Sequence, residues 1–258
     1  MPRAVGRWVP QRSRGERARH GNRCKIVAMV RRQRRTGAKF SLIGNHRCVD
    51  FVNTEVIQRG QSLDLLADFP DLVAWLTAAQ LLGPAEAEGA LRRWSGTPAG
   101  ARALVEARTL RAHFRVMLEQ IERGRPIAAS TLEAINSLLA RPIGHGELVR
   151  ARHGFLRRFR FKVRAPVDLL VPVAETASDL LCHADFSLVR KCESLACIQY
   201  FYDLSKNHAR RWCSMSVCGN RTKVAAYHRR ANADRGERRR NRRSMGATPR
   251  ARRNQSAS

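Results

Sequence analysis

Four of the seven cysteines fall in the pattern C-x4-C-x15-C-x4-C, at Cys192, Cys197, Cys213 and Cys218. Two short ligand knuckles joined by a link long enough for a small hairpin are the sequence form of a tetrahedral zinc site. Four thiolates fill every position on the metal, so no place remains for water or substrate, and one structural Zn2+ per chain is expected. A module of roughly 40 residues buries too little apolar surface to fold unaided, and metal binding supplies the missing free energy. Tyr200, Phe201, Tyr202 and Leu204 offer it a small core, and Trp212 is expected beside the metal. Gly219 and Asn220 follow the fourth ligand, where the backbone can turn closely and aim amides at sulfur. TKVAAYHRR then has helical propensity, which puts Cys218 at a helix start.

Other groups with chemical potential form no comparable set. Cys24 and Cys48 have no partner at ligand spacing. Cys182, His183 and Asp185 are neighbours in sequence, but adjacent side chains rarely converge and the segment reads as a helix end. GxxxxGK, GxGxxG, HExxH and GxSxG are all absent, so an enzyme is not expected. Seven cysteines with four at metal spacing suit a reducing compartment, and neither a secretory signal nor an apolar run of membrane length occurs. The expectation is a cytoplasmic protein without a membrane partner.

The formal net charge is +28 over 258 residues, and it is unevenly placed. Residues 1 to 39 carry net +12 and residues 229 to 258 net +9, while residues 40 to 186 carry only +2 and residues 187 to 228 carry +5. Such a gradient favours a polyanionic partner, because Lys and Arg displace condensed counterions from phosphates. Arg210, Arg211, Arg221, Lys223, Arg229 and Arg230 flank the zinc ligands and are the candidate nucleic-acid contacts, with Arg221 and Lys223 the better placed to read bases. The competing reading of each is a solvated surface charge.

The elements that must position these groups are mainly helical. CVDFVNT (48–54) reads as a buried opening segment whose Asn-Thr pair caps a turn or helix start. Asp68 offers an N-cap for a helix stopped by Gly83, a short helix follows over 84–94, and a long amphipathic run ends at Gly124. Ser130 and Glu133 form a capping box for a fourth helix at about 131–140. Alternation of Phe159, Phe161 and Val163 with basic residues predicts a strand, hairpin-paired with 147–152, and helical spacing returns from Val167 to Leu181. The expected architecture is a mainly α N-terminal domain with a small β-hairpin, followed by a small four-cysteine zinc finger of hairpin plus helix. Its segments are a basic disordered leader at 1–39, the helical domain at 40–186, the finger at 187–230 and a basic disordered tail at 231–258.

RRWCSMSVCGNRTKVAAYHRR, from Arg210 to Arg230, resembles the CGNR zinc-finger family, whose tetrapeptide stands here as Cys218, Gly219, Asn220 and Arg221. CESLAC and FYDLSKNHARRW match the preceding knuckle and link, although Ser194 and Leu195 stand where the family has Asn-Pro. VDFVNT and LLADFPDLVAWLTAAQLL resemble the ABATE domain found with that finger. The resemblance implies a bacterial, two-domain, stress-responsive transcription regulator with a helical domain followed by a DNA-binding finger, and sensing of a stress signal or ligand is the role expected for the helical domain. The alternative is a ligand-sensing or protein-interaction module with a purely structural zinc. Asp50, Asn53 and Thr54 would then line a polar pocket, against the plainer reading that they cap helices and satisfy buried groups.

The charge and missing apolar periodicity of residues 1 to 39 make that segment dispensable for folding. A chain starting at Phe40 is expected to melt cooperatively with its zinc retained, and marked destabilisation would overturn this.

Overall fold

Residues 39–152 and 154–245 are described by a computed structural model, and among them seven α-helices and three antiparallel strand pairs occur. In chain order these are α1 (Arg47–Val52), β1 (Glu55–Gln58), β2 (Gln61–Asp64), α2 (Phe69–Ala78), α3 (Pro84–Trp94), α4 (Pro98–Glu122) and α5 (Ala129–Leu139). Then follow β3 (Gly144–Ala151), β4 (Gly154–Phe161), α6 (Val171–His183), β5 (Val189–Lys191), β6 (Tyr200–Tyr202) and α7 (Asn220–Met245). The fold is mainly α with small hairpins, as the sequence predicts. The expectations for residues 1–38 and 246–258 lie outside the described residues.

Helix α4 is the spine. Pro98 opens it, the Thr97 hydroxyl accepts the Gly100 amide at 3.1 Å, and Gly124 at φ +62° ends it. Its buried stripe runs through Leu104, Ala107, Leu110, Phe114, Met117, Leu118 and Ile121. Phe114 meets Phe51 of α1 edge-on at 6.0 Å, and Phe51 in turn lies 4.9 Å from Trp75 of α2. Asp68 caps α2 by accepting the Asp71 amide at 2.8 Å, while the Asp71 carboxylate accepts the Ala67 amide at 2.9 Å.

Three local expectations change. Gly83 is the N-cap of α3 rather than the stop of α2, which ends instead at Ala79 before Gln80 at φ +61°. The capping box at Ser130 and Glu133 does not form, because α5 already starts at Ala129 and the amide of its N-cap Ala128 donates to Gln120 of α4 at 3.1 Å. Finally, the helix after Cys218 continues to Met245, through part of the segment assigned to a disordered tail from 231.

The zinc segment is built into the helical body. β5 pairs with β6 through Val189–Tyr202, Arg190–Phe201 and Lys191–Tyr200, and Val189 and Tyr200 belong to the same buried core as Phe51 and Phe114. The Asn53 side chain donates to the Tyr200 carbonyl at 2.8 Å and accepts its amide at 3.0 Å. The Tyr202 amide donates to the Gly44 carbonyl at 2.8 Å, and Asn45 donates to the Tyr202 carbonyl at 2.9 Å. Arg115 of α4 donates to the carbonyls of Ile198 and Val52 at 3.0 and 3.1 Å.

Replacing Asn53 with Ala strands two buried peptide groups of Tyr200. It is expected to cost about 2–4 kcal/mol in denaturant melts of zinc-loaded protein, with helical body and finger unfolding in one transition. A separate earlier transition reported by Trp212 in the unmutated protein would show the two to be independent.

Candidate metal centre

The four sulfurs of Cys192, Cys197, Cys213 and Cys218 lie within 4.8 Å of one another. Cys197 and Cys213 are 3.6 Å apart and Cys213 and Cys218 3.5 Å, far beyond a disulfide bond. A Zn–S bond of about 2.3 Å in a tetrahedron implies sulfur separations of about 3.8 Å, so the cluster has the size one zinc requires. Cys192, Cys213 and Cys218 are buried and Cys197 is half-buried. The cluster is therefore positioned to bind one metal ion, a structural zinc, which when bound supplies the cross-link between the two knuckles.

Each ligand is held by its local fold. β5 delivers Cys192, whose amide donates to the Gln199 carbonyl at 2.9 Å, and the first knuckle closes through Cys197 N–H to the Ser194 carbonyl at 2.9 Å. The Ser194 and Leu195 departure thus still turns the chain, with Leu195 fully exposed at its tip. In the second knuckle, residues Met215–Gly219 form one π-helical turn, in which the Cys218 and Gly219 amides share the Ser214 carbonyl at 3.0 and 3.1 Å. The Gly219 and Asn220 groups expected to face sulfur are spent here, since Asn220 Nδ2 donates to the Ser216 carbonyl at 3.2 Å. Sulfur is reached instead by the Cys213 amide, 3.4 Å from Cys192 Sγ, by the Ser194 amide on Cys192 and by the Gln199 amide on Cys197. A Cβ at Gly219 would meet only the Sδ of the exposed Met215 side chain, which can swing aside, and would lie in ordinary contact with Trp212 at 3.6 Å. Trp212 packs on the cluster with Phe201 and Ile43.

Crowding also sets the proton affinities. Hydrogen bonds from Cys197 and Cys213 hold the Cys192 thiol down, while the contact with Cys192 pushes the Cys197 and Cys213 thiols up. Protons shared this unequally are what a divalent cation displaces on binding.

The basic residues divide by direction. Arg210 points inward: it donates to the carbonyls of Trp212 and Ile43 at 3.0 Å each and to that of Cys213, and it lies 4.2 Å over the Phe201 ring. Arg211 pairs with Glu193 at 2.6 Å and lies over Trp212. Arg221 is exposed and touches the Ala196 carbonyl at 3.4 Å, and Lys223, Arg229 and Arg230 are exposed along α7. The link between β6 and Cys213 winds around Asp203, which accepts from the Ser205 amide and hydroxyl at 2.9 and 2.6 Å and from the Arg210 amide at 2.9 Å. The Asp-x-Ser spacing of an Asx-type turn was the available sequence signal for that residue.

Asp50, Asn53 and Thr54, which the alternative reading would place around a polar pocket, are 2–4% exposed and bonded internally, in keeping with the plainer reading of them. Asp50 accepts the Gly44 amide at 2.7 Å, and burial pushes its carboxyl up to about 7. Asn53 holds Tyr200, and the Thr54 hydroxyl donates to the Phe51 carbonyl at 2.7 Å while accepting from Arg111 at 2.9 Å. Arg111 and Arg115 were missed, since nothing in the spacing of a helix tells which arginines turn inward.

Metal analysis is expected to give one zinc per chain, falling to near zero in Cys213→Ser. Acid should release the metal as protons compete for sulfur, and the melting temperature of the whole body should fall with it because β6 belongs to the shared core. Zinc retained in Cys213→Ser would remove the site.

Two family models cover the chain in succession. ABATE, described as "Putative stress-induced transcription regulator", matches residues 45–184, and the CGNR zinc finger matches residues 189–231. No curated protein matches the chain. Among the described residues no helix is long and apolar enough to cross a membrane. The helical body that carries the hairpin of the zinc cluster spans more than half the chain and is matched by the ABATE model, so the chain belongs to the ABATE family and carries a CGNR zinc finger after that domain.

Proposed function

We propose that the chain is a DNA-binding transcription regulator acting in the cytoplasm, with α7 as its principal contact. The observation that carries this is the charge of a helix launched directly from the fourth ligand. Residues 220–245 hold ten Lys and Arg against two acids, and the first acid is Asp234. Lys223, Tyr227 and Arg230 recur at i, i+4 and i+7 on one face, and Val224 and Tyr227 are 55% and 65% exposed. Cations for phosphates beside apolar groups for thymine methyls or base faces are what a major-groove helix needs. The zinc fixes the helix start, and with four thiolate ligands it has no position for substrate, which favours a binding role over catalysis. Arg210 and Arg211 then serve the finger itself, leaving Arg221, Lys223, Arg229 and Arg230 for DNA.

Signal sensing has its own support in a groove of about 210 Å3 between α4 and α5, lined by Val105, Thr109, Leu110, His113 and Leu138. A small apolar molecule bound there would stiffen the spine that holds β6, and so give the stress-responsive reading a physical route.

Duplex binding should be steeply salt-dependent. The double variant Arg229→Ala/Arg230→Ala should weaken all sequences alike and reduce the salt slope by about 2, whereas Arg221→Ala with zinc retained should lower the specific-to-nonspecific ratio by about 1–3 kcal/mol. Absence of salt-dependent binding by the intact protein would end the regulator reading.

A further inference from the structure

The net +2 of residues 40–186 hides a segregated charge. Residues 40–143 hold 11 basic and 11 acidic residues, and residues 165–186 hold four acids and no Lys or Arg. Residues 144–164 hold seven basic residues against Glu147 alone. That stretch is the β3–β4 ribbon, paired in continuous register from Gly144–Phe161 to Ala151–Gly154 and about 25 Å long. Its root is fixed: Ile143 is buried, its carbonyl accepts the Lys162 amide at 2.6 Å, and Arg93 donates to the Val163 carbonyl at 3.2 Å. Beyond the root the ribbon leaves apolar groups in solvent, with Leu148, Phe155 and Leu156 exposed by 69%, 64% and 57%. Arg150 and Arg152 are exposed at the same end, and the Arg150 guanidinium lies 5.8 Å from the Phe155 ring.

We propose that this ribbon is a second nucleic-acid contact, an arm that enters a groove of the duplex held by α7, with Arg150 and Arg152 on phosphates and Phe155 and Leu156 against bases. The proposal rests on the reading of the chain as a DNA-binding protein. A two-stranded ribbon fits the major groove, and apolar side chains at an arm tip can wedge between base steps. The charge decides for a polyanion, and the register decides between polyanions. A lipid surface wants apolar groups on one face and cations on the other. Here Arg150 lies opposite Phe155 on the face that carries Leu148, and Glu147 shares the other face with the Val149–Leu156 pair, so both faces mix apolar with charged residues. That mixture suits stacking and phosphate contacts at successive nucleotides.

The test uses full-length, zinc-loaded protein and a fluorescein-labelled duplex of about three helical turns. Arg150→Ala/Arg152→Ala and Phe155→Ala/Leu156→Ala should each weaken binding by about tenfold, and the first should also lower the salt slope by about 2, with zinc content and melting temperature unchanged. If both arm variants bind like the parent while Arg229→Ala/Arg230→Ala is impaired, the arm proposal fails and the α7 reading stands. If the parent itself does not bind, both fall. Loss of binding to phosphatidylglycerol vesicles with duplex binding intact would make the ribbon a lipid contact and overturn the proposal.

Discussion

The side chain of Asn53 holds both the amide and the carbonyl of Tyr200, at 3.0 and 2.8 Å, standing in for a neighbouring strand. Asn53 sits at the end of α1, and α1 is fixed by Phe51 wedged against Trp75 and Phe114. The position of β6 is therefore set by the helical core before any metal binds. β5 follows from β6 by pairing, Cys192 follows β5, and Cys197 precedes β6 by three residues. Two of the four ligands are thus placed by packing and hydrogen bonds, so the ion has only to draw the second knuckle toward a half-built site. A small finger gains much of its order this way, since a buried hairpin edge costs far less to fix than a free one.

A divalent ion with four thiolates leaves a net negative cluster in a largely buried place, and such charge needs a counterpart. Arg210 stands beside it, fastened to three carbonyls and stacked on Phe201. Its own amide is fixed by Asp203, whose carboxyl, despite burial, is held below its ordinary range by the Ser205 hydroxyl and amide and by that Arg210 amide. The same residue types that suggest phosphate binding in the linear sequence are here structural. What turns Arg210 inward is the set of carbonyls at Ile43, Trp212 and Cys213 together with the Phe201 ring, while Arg221, equally three residues from a ligand, stays at the surface.

The zinc ligands were legible because thiolate chemistry fixes both residue type and spacing, and α2 and α4 because a long apolar period agrees with the Asp68 cap of the one and the Gly124 stop of the other. What was not legible depends on partners far away in sequence. Asn53 meets Tyr200 across 147 positions, and Arg115 meets Ile198 across 83. The start of α5 follows from Gln120 reaching the Ala128 amide, a contact no local capping pattern contains. The π-turn that carries Cys218 likewise rests on two amides sharing the Ser214 carbonyl, a geometry that residue propensity does not encode.

Net charge is the property that local averaging distorts most. In the helical body acids and bases are consumed against each other: Arg111 holds Asp64, Arg115 holds Glu55, Arg141 holds Asp168 and Arg123 holds Glu119. Those pairs fix β1, β2 and the approach to α6, and they leave little field at a distance because opposite charges in contact cancel beyond a Debye length. The first turn of α7 contains no acid, so neither Arg221 nor Lys223 has a carboxylate within a turn of its own helix. Their field is projected outward instead of spent on the fold. Under the proposed DNA-binding reading a partner's phosphates supply that neutralisation, so the position of the acids, more than the abundance of arginine, is what singles out α7 as the contact.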